Sequence, residues 1–78
     1  MKIQSIIRVA IGKYEVRVFL DEESDFEYQQ LGFTDIEMII RKHEDLPMVE
    51  LAKSVLDNPR VIAIEIISWD KNGIRVER

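Results

Sequence analysis

The stretch Ile3–Leu20, IQSIIRVAIGKYEVRVFL, decides the fold, because apolar residues recur at every second position on both sides of a Gly-Lys pair. Alternation with a period of two is typical of strands that bury one face. Gly12-Lys13 offers a two-residue turn with glycine first, as a type II′ turn requires. The resulting register places six apolar side chains on one face: Ile7, Val9, Ile11, Tyr14, Val16 and Val18. The sequence therefore predicts an antiparallel hairpin with one core face.

The second face of this hairpin carries two arginines directly opposite each other, Arg8 and Arg17. Like charges that face each other across a strand pair are unfavourable, so we expect a carboxylate nearby. Glu15 lies on the same face, and a neighbouring strand could supply Glu65 or Glu77. The two arginines form either a small anion-binding site or part of a mixed-charge face in contact with solvent. The second interpretation is favoured.

Two helices are predicted in the middle of the chain. In LGFTDIEMIIRKHEDLP (31–47), Thr34 and Glu37 fit a capping box, and Phe33 and Met38 have the spacing of a hydrophobic staple. Pro47 is tolerated in the first turn of a second helix, and the DNP sequence at 57–59 ends it. Their apolar faces recur at helical spacing: Ile36, Ile39, Ile40 and His43, then Met48, Leu51, Ala52 and Val55. One helix kinked at Pro47 is the alternative.

The last segment predicts two more strands. Val61–Ile67 is apolar on both faces apart from Glu65 and the small Ala63, as expected of an interior strand. The turn that follows contains Asn72 and Gly73, which both accept a positive φ, and IRVER should return antiparallel. We predict a single α+β domain over residues 1–78, of order β-β-α-α-β-β. Its four-stranded, mainly antiparallel sheet would carry the helices on one face.

Composition narrows the function classes. The 78 residues include no cysteine, which excludes disulfides, thiolate metal ligands and cysteine nucleophiles. The net charge is −4, and five of the fifteen acidic residues fall between 21 and 27. Outside that segment eleven basic residues meet ten acidic ones, so no basic stripe for nucleic acid is visible. No apolar run reaches the ~20 residues of a membrane span, and the alternating N-terminus lacks a signal-peptide core. We expect a cytoplasmic protein without a cofactor.

An acidic segment follows the hairpin, and its aromatic residues set it apart. Its members are Asp21, Glu22, Glu23, Asp25, Phe26, Glu27 and Tyr28. The spacing does not fit a calcium loop, which needs alternating oxygen ligands, a central glycine and a terminal glutamate. The segment is either a solvated connection, which is favoured, or a recognition surface for a basic protein partner. The two aromatic side chains would fold back onto the sheet or anchor that interface.

Sites for catalysis are not indicated. His43 is the single histidine, with no nucleophile arrangement around it and no second imidazole for a metal. A histidine near a helix C-terminus, at the edge of an apolar face, is the simpler interpretation. No motif for phosphate, dinucleotide or metal binding is present. The sequence therefore favours a non-enzymatic protein.

One apolar set on the last strands must face away from the helices. Val61, Ala63, Ile67 and Trp69 alternate with Ile62, Ile64 and Ile66. We predict a protein-interaction module that forms a homodimer through Ala63, Ile67 and Trp69 and meets a protein partner through the acidic segment. A phage- or plasmid-type accessory protein or inhibitor would suit this composition. The alternative is a nucleic-acid-associated protein that uses the hairpin cations Lys2, Arg8, Lys13 and Arg17.

Overall fold

In the described residues, four antiparallel strands and two helices follow one another in the predicted order. The computed structural model describes residues 5–20 and 34–78, and only the backbone of Thr34. The elements are β1 (Ser5–Ala10), β2 (Tyr14–Leu20), α1 (Thr34–Lys42), α2 (Met48–Leu56), β3 (Val61–Ser68) and β4 (Gly73–Glu77). The prediction of an α+β fold with the order β-β-α-α-β-β is confirmed.

The sheet order is β1-β2-β3-β4, so each strand pairs with its neighbour in the chain. The two helices are inserted between β2 and β3, which nevertheless pair directly and antiparallel. This arrangement makes β2 and β3 the central strands and leaves β1 and β4 at the edges. The sequence alone had left the strand order open.

The first hairpin has the predicted register and a different turn. Val9 pairs with Val16 and Arg8 pairs with Arg17. The Ile11 and Tyr14 backbones exchange hydrogen bonds of 2.9 and 3.3 Å around Gly12-Lys13. Gly12 does not adopt a positive φ, so the type II′ prediction is wrong. The two-residue loop length and the strand alternation set the register, and neither requires glycine's left-handed conformations.

The second hairpin closes through a three-residue loop, Trp69 to Lys71. The Ser68 N–H donates to the Asn72 carbonyl at 2.8 Å, and the Lys71 N–H donates to the Ser68 carbonyl at 2.9 Å. Lys71 has a φ of 74°, so the positive φ falls there and not on Asn72 or Gly73. A turn followed by one left-handed residue is the usual three-residue hairpin, and its third loop position is the one that must be left-handed.

The core lies between one face of the sheet and the two helices. The fully buried members with the largest side chains are Leu20, Ile36, Ile40, Leu51, Ile64, Ile66, Val16, Val18, Val55 and Val61. Val61 belongs to this core, so the prediction that it shares a face with Ala63 and Ile67 is wrong. The cause is an irregularity in the β2–β3 register: Phe19 pairs with Ala63, but Leu20 pairs with Val61. Skipping one residue reverses the side on which Val61 points.

The helices are two separate elements, and the single kinked helix is excluded. α1 ends at Lys42, and Pro47 precedes α2 with φ −59° and ψ 155°. The predicted buried positions Leu51, Ala52 and Val55 face the core. His43 follows α1, and its Nδ1 lies 2.9 Å from the Ile39 carbonyl oxygen, which gives the ring a local structural role. The capping box and the staple depend on the Thr34 side chain and Phe33, which lie outside the described residues.

Candidate interaction surface: the open face of the sheet

The face of the sheet opposite the helices carries three rows of side chains, defined by the strand register. Among the described residues no helix packs on it, and we call it the open face. Its rows, read from β1 to β4, are Ile6, Phe19, Ala63 and Glu77; Arg8, Arg17, Glu65 and Arg75; and Ala10, Glu15, Ile67 and Gly73. The middle row is entirely charged, and the two outer rows are mixed.

Glu65 holds the charged middle row together. Its Oε1 accepts a hydrogen bond from Arg17 Nη1 at 3.0 Å, and its Oε2 accepts one from Arg75 Nη1 at 3.4 Å. The Glu65 side chain is 25% exposed, because a guanidinium lies on either side of it. One carboxylate on a central strand therefore links both neighbouring strands. The sequence had indicated Glu65 as one possible counter-charge for the opposed arginines.

Two further carboxylates complete the charge balance of the open face. Glu15 Oε2 accepts from Arg17 Nη2 at 3.1 Å, and Glu77 Oε1 accepts from Arg75 Nε at 3.0 Å. The hydrogen bond with Glu77, and then the attraction of Glu77 and Glu65, raise the pKa of Arg75. Among the described residues, three arginines and three glutamates thus occupy this face. Only one of them, Arg8, has no ion pair with a described residue.

The apolar surface of the open face is concentrated at the end near the turns. Trp69 is 58% exposed, and its indole Nε1 donates to the Gly12 carbonyl at 3.1 Å, which joins the two hairpin turns. Ile67 is half-buried beside it. Gly73 pairs with Ile67 and has no side chain, so one flank of Ile67 stays open. Shallow hollows of about 360 Å³ lie on either side of Ile67.

The opposite end of the open face offers less apolar surface. Phe19 is 9% exposed and Ala63 is 3% exposed. The Arg75 guanidinium lies 4.7 Å from the centroid of the Phe19 ring. Of the three residues predicted to mediate self-association, the structure therefore brings Ile67 and Trp69 together. It places Ala63 four residues away along β3, where a partner could reach little of it. Ile6 adds an exposed apolar side chain at the edge.

The remaining predicted sites lie elsewhere. All residues of the acidic segment, and Lys2, fall outside the described residues, so the partner surface that they would form stays a prediction. Arg17 pairs with two glutamates, so among the described hairpin cations only Arg8 and the exposed Lys13 lack an ion pair with a described residue. In the described parts of the chain no group of histidine and carboxylate side chains could hold a metal ion.

Sequence reasoning missed the role of Arg75. The alternation of IRVER placed Arg75 and Glu77 on one face of a strand, but which strand stood beside it was unknown. Once β4 is known to pair with β3, Arg75 falls directly opposite Glu65. The signal was present in the residue types, and the missing information was the strand order.

Comparison with known proteins identifies no relative, because no family model, no curated protein and no solved structure matches this chain. None of the helices in the described ranges has the length and apolar character needed to cross a membrane. The function must therefore be argued from the surface itself.

Proposed function

We propose that this protein is a non-enzymatic protein-interaction module that forms a homodimer through the open face of its sheet. The observation that supports it most directly is the exposed Trp69 beside Ile67, on a sheet face that no described helix covers. Tryptophan is enriched among the residues that dominate binding energy at protein interfaces. The hollows beside Ile67 would receive side chains of the second copy.

The charge pattern of the open face is compatible with a second copy. The whole chain carries a net charge of −4, which opposes association of identical molecules. Within the described part of the open face, however, three arginines meet three glutamates, so two such faces can approach without net repulsion. Arg17 and Arg75 are already paired with carboxylates, so burying them would not leave those charges unbalanced.

The dimer should be weak. Strands are about 4.8 Å apart and rise about 3.3 Å per residue, so a four-stranded face of this length spans roughly 400 Å² in projection. A standard interface buries about 800 Å² on each partner. We therefore expect association in the micromolar range or weaker, dominated by Ile67 and Trp69. The acidic segment is proposed as a separate surface for a basic protein partner.

The test is light scattering coupled to size exclusion, from about 1 µM to about 1 mM protein, a range that brackets weak dissociation constants. The wild-type mass should rise from 9.2 kDa towards twice that value. Ile67→Lys should remain a folded monomer at every concentration. The matched control is Met38→Lys, which changes an exposed apolar residue of α1 on the helix layer and should behave as wild type.

Two results would contradict the proposal. A wild-type protein that stays monomeric at about 1 mM would remove self-association from its function. Loss of the dimer in Met38→Lys, with the dimer retained in Ile67→Lys, would move the interface to the helix layer. A mobility shift with duplex DNA at low salt, abolished by Arg8→Glu, would instead favour the nucleic-acid alternative.

A further inference from the structure

We propose that the outer edge of β1 binds an extended segment of another protein as a fifth strand, and that this segment carries a carboxylate residue between two apolar ones. The proposal concerns the backbone edge of β1, whose side chains form the border of the open face, and it goes beyond the homodimer. It depends on three observations. The β1 backbone groups point outwards, Arg8 has no ion pair with a described residue, and Arg17 and Glu65 form a similar pair inside the sheet.

The backbone of β1 presents hydrogen-bonding groups that no described strand uses. Ile11 and Tyr14 exchange both hydrogen bonds, so the alternating pairs Val9–Val16 and Ile7–Val18 do the same. The residues between these pairs therefore direct their N–H and C=O groups away from the sheet. We call these three residues, Ile6, Arg8 and Ala10, the β1 edge. All three are exposed, and no described residue pairs with this side of β1. A row of this kind is a template for an added strand.

The other edge of the sheet is less suited to strand addition. β4 has five residues to the six of β1, and the residues at its edge include Arg75 and Glu77, which pair with each other. Short, charged edge strands discourage pairing with other chains. β1 contains no proline, its register with β2 is continuous, and its one charge is Arg8.

Arg8 determines the chemistry of the incoming strand. It lies opposite Arg17, a like charge, and has no ion pair with a described residue. Arg17 is balanced by Glu15 and Glu65, which lie on its own strand and on the far side of it. No described carboxylate balances Arg8, and the side on which one can be added is its outer side, where a fifth strand would lie.

The sheet already contains the arrangement that this proposal requires. β3 presents Ile64-Glu65-Ile66 to β2: Glu65 pairs with Arg17 on the open face, and the two isoleucines pair with Val18 and Val16 on the core side. β1 repeats the β2 pattern, with Arg8 between Ile7 and Val9. A strand with the same triplet would place its carboxylate beside Arg8. Its apolar side chains would lie beside Ile7, which is half-buried, and Val9.

A second copy is a poorer occupant of the β1 edge. Pairing of β1 with β1 of another molecule would bring two Arg8 side chains close together. The strand sequence SIIRVA contains no carboxylate, so no register of that pairing supplies a counter-charge. A segment of a different protein is therefore favoured over the β1 strand of a second copy.

The test uses a capped peptide with the sequence of residues 62–67, IAIEII, flanked by serines. Amide NMR titration should show the largest shifts at Ile6, Arg8 and Ala10. Arg8→Glu should weaken binding at least about tenfold, and a peptide with lysine in place of its glutamate should recover the loss on that variant. Lys13→Glu is the matched control, since it reverses an exposed charge in the adjacent turn and should leave the affinity unchanged.

N-methylated peptides test the backbone pairing. In antiparallel pairing, the N–H of the peptide glutamate should donate to the Arg8 carbonyl, so methylation of that N–H should abolish binding. The amide of the isoleucine that follows points away from β1, so its methylation should be tolerated. Ile67→Lys should bind the peptide as wild type does, even if it loses the dimer, which separates this proposal from the homodimer.

Several outcomes would overturn the inference. They are the absence of binding at about 1 mM peptide, equal affinity for wild type and Arg8→Glu, and equal effects of the two methylations. Shifts centred on β4 would mean that the peptide adds to the other edge of the sheet, and equal shifts on β2 and β4 would mean that it replaces β3. A change of oligomeric mass when Arg8→Glu is added to the Ile67→Lys variant, without peptide, would identify a second copy as the occupant of the β1 edge.

Discussion

The two faces of the central strands differ in almost every respect, although their residues alternate along the same backbone. On the helix side, Val16, Val18, Ile64 and Ile66 are completely buried. On the open face, the intervening residues of β2 and β3 include Glu15, Arg17 and Glu65, linked by ion pairs. The helix side is stabilised by apolar burial and close packing, whereas the open face keeps its charges in pairs at the surface. Substitutions at adjacent positions should therefore have very different consequences.

The largest difference in the free energy of unfolding is expected between Ile66→Lys and Ile67→Lys. Ile66 is fully buried, and an unpaired ammonium there costs several kcal/mol, comparable with the whole stability of a small domain. Ile66→Lys should therefore unfold the protein. Ile67 is half-buried opposite Glu15, so Ile67→Lys should change the free energy of unfolding by less than about 1 kcal/mol.

Circular dichroism and urea denaturation measure both effects. The wild-type protein, at a concentration where it is monomeric, is the reference for both variants. A folded Ile66→Lys protein, or an unfolded Ile67→Lys protein, would mean that the two faces are assigned the wrong way round.

Removing a charge from the open face should have a smaller effect on the free energy of unfolding. Glu65→Gln removes the carboxylate shared by Arg17 and Arg75, and we expect a loss of about 1 kcal/mol. Glu77 pairs with Arg75 alone and is more exposed, so Glu77→Gln should lower the free energy of unfolding by only a few tenths of a kcal/mol. Urea denaturation at neutral pH measures both changes in the free energy of unfolding.

Salt provides the control for the Glu65 prediction. Glu65→Gln leaves like charges along the middle row, and salt screens their repulsion. The difference between this variant and wild type should therefore shrink at about 1 M NaCl, where the Debye length is about 3 Å. Equal losses in Glu65→Gln and Glu77→Gln would show that Glu65 does not link the strands.

The smallest effect on stability is expected from the ionisation of Asp70, in the turn between β3 and β4. Hydrogen bonds from the Ser68 hydroxyl and then from the Asn72 backbone N–H hold the pKa of Asp70 below its ordinary value of about 3.9. Because the folded pKa is lower than the unfolded one, ionised Asp70 stabilises the fold above the unfolded pKa. This contribution disappears as the pH falls through the folded pKa.

NMR titration of the Asp70 carboxyl carbon measures this directly. Ser68→Ala should move the pKa of Asp70 upwards, towards the ordinary value. Ser54→Ala is the control, since the Ser54 hydroxyl donates to the Glu50 carbonyl on α2 and should leave Asp70 unaffected. No upward shift in Ser68→Ala would remove the hydroxyl as the main cause.

The sequence predicted what depends on neighbouring residues along the chain. The pairing of Val9 with Val16 follows from alternation around a two-residue loop, and the buried face of α2 follows from helical spacing. Turn conformation was predicted less well, because several residue types can supply a left-handed position. The positive φ therefore fell on Lys71, which has no special preference for it.

By itself, the sequence determined which side chains share a face, because the periods of strand and helix are local properties. Only the tertiary structure decided which strands lie side by side. That choice depends on how the helix pair returns the chain to β2, and it brought Glu65 between Arg17 and Arg75. The tertiary structure also directed Val61 into the core through a one-residue register shift, and it placed Arg8 on an edge strand where no described residue supplies a counter-charge. Contacts between residues far apart in the chain decide such features, and the alternation of apolar and polar residues does not encode them.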